Sequence, residues 1–209
     1  SETISVANVK DMPYTDSGNI LHNIKNVLAA LGAVYFHPNI KLDLQKTKRY
    51  LNILDTDHLV NGRFNKVYSN GRLIVIDYAH NPDAIRNLSA SLKKMGITNP
   101  SCLTSIHETR DRHFCELIAK ELSAFYNPIY LREPDPNCQC PNGIKVNDLI
   151  DAIKIVSPST QMFFFEENPF ERYVDTIKTG ECGVILGAGL DYIPKVKAQV
   201  LDYVGGVSK

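Results

Sequence analysis

Gly62-Arg63-Phe64-Asn65-Lys66-Val67-Tyr68-Ser69-Asn70-Gly71-Arg72-Leu73-Ile74-Val75-Ile76-Asp77-Tyr78-Ala79-His80-Asn81-Pro82 decides how the rest of this chain is read. Two strand-like runs, Phe64–Tyr68 and Leu73–Ile76, flank Asn70-Gly71. Both turn residues tolerate positive φ, so a two-residue hairpin is expected there. Leu73-Ile74-Val75-Ile76 is apolar on both faces, as a strand buried from two sides would be. The run ends at Asp77, and Asn81-Pro82 supplies an N-cap and a first helical residue. Ile85, Leu88, Leu92 and Met95 then mark the inner face of a helix that Gly96 can close.

Outward from there, strands and helices alternate. Cys102–Ile106, Ile129–Leu131, Met162–Phe165 and Val184–Leu186 read as strands. Helices follow them, lined by Phe114, Leu117, Ile118, Leu122 and Phe125; by Leu149, Ile150 and Ile153; by Phe170, Tyr173, Val174 and Ile177; and by Ile193, Val196, Val200 and Val204. Five βα units after one antiparallel strand imply an α/β fold: a Rossmann-like, doubly wound, six-stranded, mostly parallel sheet with one antiparallel edge strand. Phe163-Phe164-Phe165 reads as core. Residues 1–60 read differently, as a helical remnant of a preceding domain with a short leading strand. Ile20, Ile24, Val27, Leu28 and Leu31 mark one helix that Gly32 can close, and a second starts near Asp43. The expected division is therefore 1–60 and 61–209.

Lys+Arg and Asp+Glu both number 23, so the net charge is zero and no basic face for nucleic acid is implied. No apolar run is long enough to span a bilayer. The five cysteines, Cys102 in a strand and Cys115 in a helix among them, suit reduced, buried thiols and a cytoplasmic setting. Cys138-x-Cys140 is a weak metal signal, because no second pair stands at ligand spacing. No G-x-x-x-x-G-K-[ST] loop occurs in the 209 residues. The sequence leaves open whether copies associate into a homo-oligomer.

In such a sheet, ligands sit beyond the carboxyl ends of the strands. Five loops reach that edge: Asp77–Asn81, His107–His113, Arg132–Gly143, Glu166–Asn168 and Gly187–Tyr192. Asp77 can accept hydrogen bonds from ribose hydroxyls or cap a turn. His80 can meet a nucleotide oxygen or bond a neighbouring loop. Asn81 can simply start a helix, although that turn also favours anions. Arg63 can stack on a base or form a surface ion pair. Arg110 or Arg112 can grip a carboxylate-bearing substrate, against the alternative of a solvated helix entry capped by Asp111. The turn-rich Arg132–Gly143 stretch reads as a specificity loop. Gly187-Ala188-Gly189 reads as a tight turn that lets backbone approach a ligand.

These motifs resemble the Mur ligase superfamily. His22-Asn23-Ile24-Lys25-Asn26-Val27-Leu28-Ala29-Ala30 looks like the N-I-x-N-x-L-A-A helix near the end of that family's central domain. Gly62-Arg63-Phe64 resembles the opening of its C-terminal domain, and Asp77-Tyr78-Ala79-His80-Asn81-Pro82 resembles that domain's signature. Arg110-Asp111-Arg112 stands where relatives carry a G-D-R-D-like loop, but His107-Glu108-Thr109 replaces the usual glycines. Within the superfamily the nearest likeness is the Mur-like C-terminal region of cyanophycin synthetases, carried by Gly62–Asn65 and by Tyr130-Leu131-Arg132-Glu133. The D-N-P-R motif of diaminopimelate-adding relatives is missing.

The resemblance implies part of an ATP-dependent acid–amino-acid ligase that forms an amide through an acyl phosphate. ATP and Mg²⁺ are the implied cofactors, held mainly by a central domain. Arg63, Asp77, His80 and Asn81 would lie on the nucleotide, and Arg110, Arg112 and Arg132 on the incoming amino acid. The implied partners are an amino acid, with arginine as the candidate, and a peptide or polymer carboxylate acceptor. Without a P-loop, the chain alone is expected to be inactive. The alternative is a non-catalytic, ligase-derived binding or assembly domain.

Overall fold

The structure is a computed structural model, and it describes residues 5–55, 62–135, 138–187 and 193–206. Six strands form one sheet in the order β1-β2-β6-β3-β4-β5. They are β1 (Asn65–Ser69), β2 (Arg72–Asp77), β3 (Ser101–Thr104), β4 (Ile129–Arg132), β5 (Met162–Phe165) and β6 (Cys182–Leu186). β1 runs antiparallel to β2 and all other pairings are parallel. Ser69 pairs with Arg72 across the expected two-residue turn, where Asn70 and Gly71 have φ of 48° and 73°. Both values belong to the left-handed region that the hairpin twist demands.

Alternation along the strands sorts the core into two layers. Val75, Cys102, Ile129, Leu131, Val184 and Leu186 pack with the inner faces of α3 (Pro82–Lys94), α4 (Arg112–Ser123) and α5 (Val146–Val156). Ile74, Ile76, Leu103, Tyr130, Phe165 and Ile185 pack under α6 (Pro169–Thr176) and α7 (Ile193–Gly206). Because β6 enters between β2 and β3, the carboxyl ends of these three strands lie side by side. The chain after β2 therefore faces the loop after β3 with Gly187 between them.

The N-terminal segment holds α1 (Leu21–Tyr35) and α2 (Leu44–Leu51), preceded by two 3₁₀ turns, Val9–Asp11 and Pro13–Thr15. Asp43 caps α2 by accepting from the Lys46 N–H at 3.0 Å. Ile20 is buried in the same layer as Phe64 and α3, and Lys66 pairs with Asp16, so the segment is tied to the sheet domain.

No strand lies among described residues 5–55, and residues 1–4, where the leading strand would begin, lie outside the described residues. Three expectations need correction. Gly32 does not close α1, since the helix continues to Tyr35 and Gly32 has open space around its Cα. Phe163 and Phe164 are 49% and 41% exposed, because β5 is the sheet's edge, and only Phe165 is core. Leu117 is 40% exposed on the outer side of α4. Of the last loop only Gly187 is described, so Ala188 and Gly189 lie outside the described residues, as do 136 and 137 of the Arg132–Gly143 loop. Among the described residues no helix is long and apolar enough to cross a membrane.

Candidate functional site

Asp77 organises the rim. It ends β2 and is 4% exposed. One carboxylate oxygen accepts the Phe64 N–H and the other the Ala79 N–H, both at 2.8 Å. The carboxylate thus joins the turn before β1 to the turn before α3. Phe64 holds a φ of 54°, unusual for a residue with a side chain, and the Asp77 bond fixes it there. Gly62 closes the same turn against α7, where an added Cβ would lie 2.0 Å from Ile193. Burial raises the Asp77 pKa to about 6, against the opposing pull of the two N–H donors and of Arg63.

Arg63, carried by that turn, lies with its guanidinium carbon 5.3 Å from the Tyr78 ring centre. Asn81 caps α3 by accepting from the Ala84 N–H at 2.9 Å. Arg63, Asp77 and Asn81 line one cavity of about 480 Å³ together with Tyr14, His22, Asn26, Ala84 and Asn87. His22 has its pKa lowered by burial and by Arg63, so it is neutral near pH 7. Three polar side chains from the N-terminal segment therefore complete a site that the sheet domain begins. Sequence reasoning missed Tyr14, His22, Asn26 and Asn87 as lining residues. His22 and Asn26 carried a readable signal, since polar residues at i and i+4 share one helix face.

His80 is not in that cavity. Its Nδ1 lies 3.2 Å from the Tyr78 carbonyl and its ring centre 4.2 Å from that of Tyr78. It faces a neighbouring crevice lined also by Ser105, His107, Asp135, Cys138 and Gly187. The expectation of Arg63, Asp77 and His80 around one ligand is corrected to that extent: Asp77 and Asn81 share the Arg63 cavity, and Tyr78 separates it from His80. Burial lowers the His80 pKa, with Arg110, His107 and Arg63 acting the same way and the Tyr78 carbonyl opposing them.

The three arginines expected to hold substrate part company. Arg112 is on the surface, 3.9 Å from Asp148. Arg110 is half-buried, with its guanidinium carbon 4.9 Å from the Phe114 ring centre. Arg132 is 3% exposed, pairs with both oxygens of Asp135 at 2.8 and 3.3 Å, and lies over Phe170. That arrangement ties the loop after β4 to the end of its strand, with Arg132 also lining the space beyond β4 and β5.

Glu108 likewise works on the loop. It is 3% exposed, accepts from Lys145 Nζ at 2.8 Å and from the Cys140 N–H, and its own N–H donates to the Cys138 carbonyl. Glu108 thus gives the loop around Cys138 and Cys140 a buried anchor. A second cavity, of about 270 Å³, opens beyond β4 and β5 and is lined by Glu133, Glu166, Glu171 and Gln199 beside the Arg132–Asp135 pair.

With fold and rim described, comparison with known proteins places the chain. Residues 62–189 match the family model described as the Mur ligase, glutamate ligase domain. The chain belongs to that family. It is 27% identical over 142 residues to the UDP-N-acetylmuramoyl-L-alanyl-D-glutamate–2,6-diaminopimelate ligase of Aquifex aeolicus, a match covering 66% of this chain and 28% of the relative. It is 34% identical over 124 residues to UDP-N-acetylmuramyl-tripeptide synthetase 2 of Oceanobacillus iheyensis, covering 58% and 24%. The matches thus span about a quarter of the length of these curated relatives. Two solved structures share the fold. The bifunctional folylpolyglutamate synthase/dihydrofolate synthase of Yersinia pestis, complexed with AMPPNP and Mn ion, has a TM-score of 0.61 at 19% identity, covering 86% of this chain and 39% of its own. The UDP-N-acetylmuramate–alanine ligase of Thermotoga maritima has a TM-score of 0.58 at 19% identity, covering 90% and 38%.

Proposed function

We propose that the chain is the C-terminal portion of an ATP-dependent acid–amino-acid ligase and supplies one wall of its nucleotide site. The observation that carries this reading is the 480 Å³ cavity of Arg63, Asp77 and Asn81, closed by Tyr14, His22 and Asn26, on a domain of the Mur ligase family. Its size suits a nucleoside. Its donor set fits one: a guanidinium beside an aromatic ring for base or phosphate, amides for purine edges, and a carboxylate with acceptor capacity left for hydroxyls. ATP bound there would supply the phosphoryl group that activates a carboxylate for attack by an amine. Arg63 would orient it, and His22, neutral near pH 7, would offer a hydrogen bond without adding charge. Mg²⁺, implied by the family resemblance, would be held mainly by a central domain.

Residues 1–60 are, in this reading, the tail of the central domain. The exposure of Leu28, Phe36, Tyr50 and Ile53 on α1, α2 and their ends suits a surface that packs on further protein. The finer assignment is cyanophycin-synthetase-like, with arginine as the incoming amine. The 270 Å³ cavity supports it, because Glu133, Glu166 and Glu171 favour a cationic side chain there. The absence of D-N-P-R supports it too, although the curated relatives above add diaminopimelate or build the tripeptide. Arg110 and Arg112 remain the groups assigned to the amino acid's carboxylate. The chain alone is expected to show no ligase turnover.

Calorimetric titration of the chain with ATP tests the reading. Arg63→Ala should weaken binding by at least about tenfold, or roughly 1.4 kcal/mol. ATP binding that Arg63→Ala leaves unchanged would overturn the site. Complete indifference of the native chain to ATP would favour the non-catalytic assembly role.

A further inference from the structure

β5 is an open side of the sheet. It pairs with β4, in parallel, and has no strand on its other side among the described residues. The opposite edge is treated differently, since Lys66 of β1 pairs with Asp16 of the N-terminal segment. β5 reads Met162-Phe163-Phe164-Phe165 and holds none of the charges or prolines that keep edge strands from pairing. Phe163 and Phe164 are left half-exposed there, although Tyr130 already stacks on Phe163 with ring centres 5.2 Å apart.

Register decides which backbone groups point outward. The Ile129 N–H donates to the Gln161 carbonyl at 2.9 Å, so the backbone of Gln161 faces β4. Every second residue of a strand addresses the same neighbour, which turns the N–H and C=O of Met162 and Phe164 away from the sheet. Such a row is self-complementary. Laid antiparallel against a second copy, about a two-fold axis through Phe163, Met162 of each copy stands opposite Phe164 of the other. Each of these pairs exchanges both main-chain hydrogen bonds. Phe163 then faces Phe163 at the closely spaced position, with Cα atoms about 4.5 Å apart. The two half-exposed rings cover one another and continue the Phe165–Tyr130–Phe163 stack across the axis.

Charge selects this orientation and this register. β5 runs directly into Glu166-Glu167, both exposed. Parallel pairing would bring the acidic ends of both copies together. Antiparallel pairing carries them to the end of the sheet where α5 finishes with Lys154, Ile155 and Val156 before β5 begins. The Lys154 side chain is 61% exposed and Ile155 is 81% exposed, so a cation and apolar area stand ready at that end. An axis through Phe164 would set Glu166 against Met162, and one through Met162 would set Phe163 against Gln161. Only the axis through Phe163 matches like with like.

We propose that two copies of this chain associate through β5, antiparallel about Phe163, and join their sheets into one. A short strand with its flanking side chains falls at or below the low end of the roughly 1,200–2,000 Å² that stable partners bury, so the dimer is weak and concentration-dependent. β5 lines no part of the Arg63 cavity, and the association does not depend on the ligase reading.

Sedimentation velocity of the full chain, from about 5 µM to about 500 µM, tests the association. A reversible monomer–dimer equilibrium is expected. Phe164→Pro removes an outward N–H and no bond to β4, and Phe163→Lys puts a charge on the axis, so each should weaken the dimer at least about tenfold. Glu167→Lys, at an exposed position outside the strand, should weaken it several-fold, as should high salt. Circular dichroism checks that each variant folds, and Glu167→Lys keeps the test decisive should a strand variant fail to fold. Phe36→Ser, at the 81% exposed residue after α1, should leave the dimer intact. A chain that stays monomeric across the range would overturn the proposal. A dimer that the β5 and Glu167 variants leave unchanged would overturn it equally, by placing the contact elsewhere on the molecule.

Discussion

Replacing Asp77 by Asn while varying pH isolates the buried carboxylate that joins the two turns of the candidate site. The native group accepts the Phe64 and Ala79 N–H groups at 2.8 Å and sits 4% exposed. Burial lifts its pKa from 3.8 to about 6. A folded-state value above the unfolded one means that the native state keeps a proton the unfolded chain has already lost. The resulting stabilisation is complete below about pH 4 and is lost as pH rises through about 6. A separation of about two units corresponds to about 3 kcal/mol. Asn cannot titrate, so it removes this slope. It also turns its NH₂ toward one of the two backbone donors, which costs about 1–3 kcal/mol at every pH. Urea unfolding of both proteins from pH 4 to 8 should show the native chain losing about 3 kcal/mol relative to Asp77→Asn between pH 4 and 7, with a flat difference above. A constant difference would refute the reasoning. A native chain that gains on the variant with rising pH would show that the two N–H bonds and Arg63 outweigh burial.

Two further substitutions separate structure from ligand binding at the same rim. An Ala at Gly143 would place its Cβ 1.9 Å from the Glu108 carbonyl oxygen, so the loop must move and disturb the Glu108 bonds to Lys145 and Cys140. Gly143→Ala should cost about 2–4 kcal/mol, judged from hydrogen bonds to a charged group, as read by denaturant unfolding. Arg132→Met strands the buried Asp135, and removal of one member of a buried pair costs about 3–5 kcal/mol. If Arg132 is structural, that variant loses stability while ATP affinity per folded molecule stays within twofold by calorimetry.

How far the sequence carries the argument depends on which residues answer to local rules. Asn70-Gly71, Asn81-Pro82 and Asp43 follow turn and cap chemistry set by the backbone within a few residues, and each stands where its type predicts. Gly32 shows the limit of such rules: glycine permits a helix to end but does not compel it, and the turn continues to Tyr35. Phe163 and Phe164 fail for a longer-range reason. Three phenylalanines in a row look like core, but exposure depends on which strand lies outside, and that follows from the insertion of β6 between β2 and β3, which puts β5 at the edge.

The site divides along the same line. Asp77 and Asn81 are adjacent in sequence to the strand and helix that position them, so their placement at the rim could be read directly. The boundary between two adjoining sites could not, because it is made by a single side chain. The Tyr78 ring meets both Arg63, whose guanidinium carbon is 5.3 Å from its centre, and His80, whose ring centre is 4.2 Å away. The period-2 alternation of β2 does not extend past Asp77, so nothing local says which way Tyr78 turns. The placement of Arg132 has a local cause instead: Asp135, three residues on, is close enough in sequence to pair with it. An arginine is free for a ligand only when no carboxylate of its own loop reaches it first. By that criterion Arg63 and Arg110, stacked on aromatic rings, and the surface Arg112 stay candidates among the described residues of this rim.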